Sequence, residues 1–101
     1  MNRSTHIAVK LIVLSFTTIL FAQMTVSGTV TDASSGDALA GANVVVDGTD
    51  LGSAANANGA FTINDVPNGA TLTASMIGYS DASATAGRTV NFRLSESALQ
   101  M

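Results

Sequence analysis

Short runs of alternating apolar and polar residues fill the chain from about Met24 onward. The clearest is Thr89–Leu94, TVNFRL, where Val90, Phe92 and Leu94 alternate with Thr89, Asn91 and Arg93. A period of two is the pattern of a half-buried strand, because successive side chains point to opposite faces. Met24–Thr31, MTVSGTVT, repeats it with Val26, Gly28 and Val30 against threonine and serine. Ala42–Asp47 sets Val44 and Val46 on one face, Phe61 and Ile63 alternate with Thr62 and Asn64, and Thr71–Met76 aligns Leu72, Ala74 and Met76. Two weaker segments complete the series: Leu51–Ala55, and the polar, alanine-rich Tyr79–Ala86, whose strand character rests on its place between better strands. Seven strands are predicted.

What separates them is turn chemistry. Asn58-Gly59 and Asn68-Gly69 bracket the Phe61–Ile63 alternation, and Asp47-Gly48 closes the Val44–Val46 run. Asn-Gly and Asp-Gly tolerate positive φ and mark tight reversals. The two Asn-Gly pairs are therefore expected as hairpin and loop turns around a central strand. Short strands with turn signals about every 8–12 residues predict an antiparallel sandwich or small barrel. Helix is disfavoured, since β-branched residues and glycines are spread throughout and no 3.6-residue period persists. One domain fits the length of 101 residues, and no internal repeat is visible.

The first 22 residues read differently. MNRSTHIAVK carries Arg3, His6 and Lys10 with no acid, and Leu11–Ala22 is uncharged and strongly apolar. A basic head, a short apolar stretch and a small residue at the cut describe a secretory signal peptide. Cleavage is expected after Ala22, with Gln23 as the second choice. A membrane anchor is the competing reading, but twelve residues fall short of the ~20 that a spanning helix needs. The expected organisation is a leader over 1–22, a β domain over 23–95 and the start of a linker over 96–101.

Removal of the leader changes the chemical inventory. Arg88 and Arg93 face Asp32, Asp37, Asp47, Asp50, Asp65, Asp81 and Glu96, which leaves five net negative charges and no lysine, histidine or cysteine. An acidic surface with two cations is a poor partner for phosphate backbones, which argues against nucleic-acid binding. With no disulfide available, the domain must hold through packing and backbone pairing alone. Ser-His and Ser-Lys machinery, Schiff-base chemistry, the usual zinc ligands and the phosphate-loop lysine are all missing. A carboxylate pair could still serve glycoside hydrolysis, yet every Asp sits in or beside a predicted turn, where it caps backbone N–H groups. No catalytic, cofactor-binding or metal-binding residue is assigned. Asp47, Asp50, Asn56 and Asn58 offer oxygen atoms to calcium, but DGTDLG lacks the downstream glutamate of the common calcium loop, so turn formation is preferred. Tyr79 is thin support for stacking on a sugar; the plainer reading is a strand-start tyrosine with a buried ring and a wet hydroxyl.

From Val26 to Leu94 the order of motifs resembles the carboxypeptidase regulatory-like domain, a transthyretin-like sandwich. The carrying residues are Gly28, Val30 and Asp32, matching G-x-V-x-D; Gly41-Ala42-Asn43-Val44; Ala55–Phe61, matching T-D-x-N-G-x-F; Val66-Pro67-Asn68-Gly69; and Ile77-Gly78-Tyr79. Two departures stand out: Ala38 and Ala40 where the family often has prolines, and Ala55-Asn56 where it has Thr-Asp. The resemblance implies a seven-stranded antiparallel Greek-key β-sandwich, all-β, without cofactors.

It also implies a context. Such domains occur in enzymes, in surface proteins and at the periplasmic N-terminus of TonB-dependent outer-membrane receptors. The leader ending LFAQ with the domain directly behind it looks most like the receptor arrangement. The expected function is a non-catalytic exported accessory domain that docks or spaces a nutrient-uptake receptor. Its partners would be the receptor plug and barrel or other periplasmic proteins, and its location the periplasm or the periplasmic side of the outer membrane. The alternative is a carbohydrate-binding module of a secreted or surface protein, with a glycan as ligand. Nothing in the sequence suits the chain to be the pore itself, since long lipid-facing strands with aromatic girdles are missing.

Overall fold

The computed structural model describes residues 22–97. Apart from Ala22, the expected leader lies outside them. Seven strands follow in order: β1 (Gln23–Asp32), β2 (Asn43–Val46), β3 (Gly52–Ala54), β4 (Ala60–Pro67), β5 (Thr71–Ser75), β6 (Ala82–Thr85) and β7 (Phe92–Leu94). They build two sheets, ordered β4-β1-β7 and β3-β2-β5-β6. No helix among the described residues is long and apolar enough to cross a membrane. The all-β sandwich read from the sequence is the fold found.

The alternation explains why two layers form. Val26, Val30, Phe61, Ile63, Val66, Phe92 and Leu94 from one sheet meet Val44, Val46, Leu72 and Ala74 from the other, and all are buried. Burial of an aliphatic side chain stabilises by roughly 1.5–3 kcal/mol, and this interior is nearly all aliphatic. Its aromatic part is the pair Phe61 and Phe92, with ring centres 6.1 Å apart and planes tilted by 39°. On strand β4 the alternation would turn Asp65 inward after Ile63. A bulge prevents this: Met24 pairs with Val66 and Val26 with Ile63, so Asn64 and Asp65 together oppose Thr25. Asp65 takes φ of 61°, stays exposed, and lets Val66 enter the core.

Three features differ from the expectation. The Asn-Gly turns are real, with φ of 75° at Gly59 and 84° at Gly69. Neither joins a hairpin within one sheet, however. Asn58-Gly59 carries the chain from β3 to β4, and Asn68-Gly69 carries it back from β4 to β5, so both cross between sheets. The strand between them is not central but forms the edge of its three-stranded sheet. Finally, β1 and β7 run parallel while the other named strand pairs are antiparallel.

The β1–β7 seam begins before β7 itself. The Ser27 N–H donates to the Arg88 carbonyl at 3.0 Å, and the Val90 N–H donates to the Ser27 carbonyl at 2.9 Å. Beyond this the Asn91 side chain takes over: its Oδ1 accepts both the N–H and the Oγ1–H of Thr29, each at 3.1 Å. The neighbouring Val90 carbonyl instead lies against Gly28.

These connections fix two ends of the sandwich. The incoming chain lies by the β4–β5 turn, where the Asn68 N–H donates to the Ala22 carbonyl at 2.9 Å. The outgoing chain lies by the β5–β6 turn, where the Ser97 N–H donates to the Gly78 carbonyl at 2.9 Å. Pairing thus continues through Ser97, past the residue 95 boundary expected from the sequence. The ten residues of β1 separate the ends by about 30 Å at ~3.3 Å per residue.

Candidate functional site

The outgoing end gathers the features that pure core packing does not require. Strand β1 finishes there at Asp32, whose side chain is only 8% exposed. Its Oδ1 accepts the N–H groups of Ser34 at 2.7 Å and Ser35 at 3.1 Å, so the carboxylate caps the reversal that follows β1. Its Oδ2 accepts the Tyr79 hydroxyl at 2.8 Å. Tyr79 comes from the β5–β6 connection, where its N–H closes a turn onto the Met76 carbonyl at 3.0 Å. It also bridges Glu96, just beyond β7, in antiparallel fashion. One hydrogen-bonded group therefore ties the ends of β1, β5 and β7 together.

Electrostatics follow from this contact. The Tyr79 hydroxyl, then the Ser35 and Ser34 N–H groups, hold the Asp32 carboxyl below its ordinary 3.8, while partial burial opposes them. Reciprocally, the hydrogen bond to Asp32 is the main reason Tyr79 titrates above its ordinary 10.0. Burial and the charges of Asp32, Glu96 and Asp37 add to it. Both shifts favour the pair as carboxylate and neutral phenol at neutral pH. The expectation of a buried ring and a wet tyrosine hydroxyl is corrected here: Tyr79 is half-buried rather than buried, and its hydroxyl donates to Asp32. No periodicity could have revealed a partner 47 residues away.

The other residues weighed for chemistry separate. Asp47, at the end of β2, accepts the Thr73 hydroxyl at 2.9 Å, and Asp50 lies in the same β2–β3 turn. Asn56, on the far side of β3, accepts the N–H groups of Asn58 at 2.9 Å and Ala60 at 3.0 Å. The four oxygen donors considered for calcium are split between two turns; Asp47 ties its turn to β5, and Asn56 braces its own turn. Among the described residues no three acids or histidines group as a metal site would require.

Beside the Asp32–Tyr79 pair lies an open groove of about 440 Å³, lined by Ala40, Gly41, Asn43, Ser75, Met76 and Ile77. Asn43 and Ser75, which line it, pair directly across β2 and β5. Met76 packs on the core edge, while Ile77 stands at the tip of the turn and is 98% exposed. The sequence reading placed Ile77 within a family motif but gave no signal that it points into solvent.

The family model described as CarboxypepD_reg-like domain matches residues 26–101. The chain belongs to that family. No curated protein matches it. Among solved structures it is similar to a chain of a type II cohesin–X-dockerin complex from Acetivibrio cellulolyticus, a C-terminal interface mutant. Identity is 28% and the TM-score 0.53, with 71% of this chain and 51% of that one covered. An N-terminal interface mutant of the same complex gives the same values. The CarboxypepD_reg-like chain thus spans about half the length of these structural relatives. Family membership makes sense of the motifs physically: Gly28 admits the Val90 carbonyl, Val30 fills the core, and Asp32 meets Tyr79. This CarboxypepD_reg-like domain offers an open groove and two ends set apart by the length of β1.

Proposed function

We propose that this CarboxypepD_reg-like domain is a non-catalytic exported module at the periplasmic N-terminus of a TonB-dependent outer-membrane receptor. There it serves as a spacer and protein-docking unit. The observation that carries the reading is the placement of incoming and outgoing chain at opposite ends of one rigid sandwich, braced at the outgoing end by Asp32 and Tyr79. A module so built sets its own amino-terminal end, at the start of β1, apart from the chain that follows it by the length of β1. The basic and apolar leader supports export, and a sequence from Gln23 onward without histidine, lysine or cysteine supports a role free of catalysis. The likeness to a chain of a cohesin–X-dockerin complex supports a role in protein assembly.

Two measurements test the reading. The reading frame beyond the codon for Met101 should continue into a plug and a β-barrel. Deletion of residues 23–97 from that receptor should leave the barrel in the outer membrane while lowering uptake of its nutrient. A stop codon directly after Met101, or uptake unchanged by the deletion, would count decisively against it.

A further inference from the structure

We propose that Ile77 and the groove at its base form the docking surface of this domain, and that its occupant is a protein segment combining apolar and basic side chains. The inference rests on the docking reading above and specifies its surface and partner. Isolated apolar residues on a surface are ordinary, but the setting of Ile77 is not. It is a β-branched residue at a turn tip, where glycine, asparagine or proline is favoured, and it is 98% exposed. At its foot the concave side is made by Ala40, Gly41 and Met76, with Asn43 and Ser75 offering hydrogen-bonding side chains. A projecting aliphatic beside an open groove, with polar and charged groups around it, has the apolar centre and polar surround of an interface.

Charge selects the partner. Glu96 bridges Tyr79, two residues from Ile77; the Asp37 carbonyl accepts the N–H of Asp32, the residue whose carboxylate Tyr79 contacts; and Asp81 follows Tyr79 by two residues. Glu96, Asp37 and Asp81 are exposed. Of the two arginines among the described residues, Arg93 lies at this end, where it donates to the Ala33 carbonyl at 3.1 Å, and Arg88 lies by Ser27, midway along β1. The end of the sandwich that carries the apolar tip therefore holds more carboxylates than cations. Lysine or arginine on the partner would be drawn to that end, which speeds encounter and fixes orientation. A second copy would set acid against acid, and an anionic lipid surface would be repelled for the same reason.

The probe is a fluorescent peptide of alternating leucine and lysine, with leucine–glutamate and serine–lysine peptides as controls, titrated into the full chain as exported at low salt. Saturable binding is expected for the leucine–lysine peptide alone. Ile77→Ser should weaken it by about tenfold, the scale of a central interface anchor. Ala40→Gln, which crowds the groove without touching the tip, should weaken it similarly, and Glu96→Gln with Asp81→Asn should reduce its salt dependence. Amide shifts on binding should concentrate at residues 40–43 and 75–78. No binding, equal binding of the serine–lysine peptide, equal binding by Ile77→Ser and Ala40→Gln, or self-association through Ile77 would each overturn the proposal. If the peptide fails while uptake still needs residues 23–97, the surface is wrong and the spacer reading stands.

Discussion

The Tyr79 hydroxyl donates to Asp32 at 2.8 Å and closes a sequence separation of 47 residues. This one bond joins the last residue of β1 to the turn that presents Ile77, so the loop end is pinned from below rather than merely packed. It also makes stability depend on pH at both extremes. Asp32 is held below 3.8, so its contribution is complete above that pH and is lost as pH falls through the lowered folded value. Tyr79 is held above 10.0, so its contribution is present below that pH and is lost as pH rises through the raised folded value. Asp32→Asn should bring Tyr79 back toward 10.0, read as tyrosinate absorbance from the single tyrosine. Tyr79→Phe should lessen the loss of thermal stability in acid. A Tyr79 titration unmoved by Asp32→Asn would contradict this account.

Much of the sandwich was legible because burial imposes period two. Phe92 and Leu94 face the core as TVNFRL predicts, and Val44 with Val46, and Leu72 with Ala74, do the same across the sandwich. Connectivity was less legible. An Asn-Gly pair encodes a local positive φ, not the sheet that receives the next strand, so both crossovers at Gly59 and Gly69 passed as ordinary reversals. The bulge at Asn64 and Asp65 hides in the same way, since it shows only as an alternation that resumes one residue late at Val66. The candidate site was the least legible. Asp32 was read correctly as a turn cap, but its second oxygen has a tertiary partner, and the exposure of Ile77 depends on how the β5–β6 turn sits over the groove.

Gly28 should tolerate no side chain. A Cβ at that position would lie 1.7 Å from the Val90 carbonyl oxygen, and backbone on the β1–β7 seam would have to move. Overpacking of this kind costs about 1–3 kcal/mol and occasionally more. For Gly28→Ala we expect a loss of about 3 kcal/mol, which for a domain of this size is roughly 12–24 °C in the thermal midpoint. Asn91→Ala, which removes only the acceptor for Thr29, should cost about 1 kcal/mol. Calorimetry of both variants checks the order; equal midpoints for Gly28→Ala and the natural chain would show that the seam yields freely.

Asp65 is the one non-glycine residue with positive φ among the described residues, at 61°. The left-handed region costs most residues about 1–2 kcal/mol, and Asp less because its short polar side chain bonds locally. Asp65→Gly should therefore change stability by less than about 0.5 kcal/mol, relief of strain being offset by greater freedom when unfolded. Asp65→Val should lose about 1–2 kcal/mol, although the side chain is exposed and buries nothing. Urea midpoints at unchanged slope measure the difference. A harmless valine would mean that the bulge is not fixed and that the β1–β4 register can slip.

Asn56 stands where the family pattern has Asp, and its role is visible in the structure. Its Oδ1 accepts the N–H groups of Asn58 and Ala60, its carbonyl accepts the Gly59 N–H at 2.8 Å, and its own N–H reaches the Ala60 carbonyl at 2.9 Å. The residue shapes the whole crossover from β3 to β4. Loss of the side-chain acceptor in Asn56→Ala strands two N–H donors in an exposed turn, where water recovers part of the loss, so about 1 kcal/mol should go. Asn56→Asp keeps the geometry and makes both bonds charge-assisted, which strengthens each. The gain should be a few tenths of a kcal/mol at neutral pH, fading as the new carboxyl is protonated in acid. Thermal unfolding of the two variants at neutral and acid pH separates these effects. If Asn56→Asp destabilises at neutral pH, the turn needs the Asn56 amide N–H₂ as a donor, and the acceptor role assigned to its oxygen is incomplete.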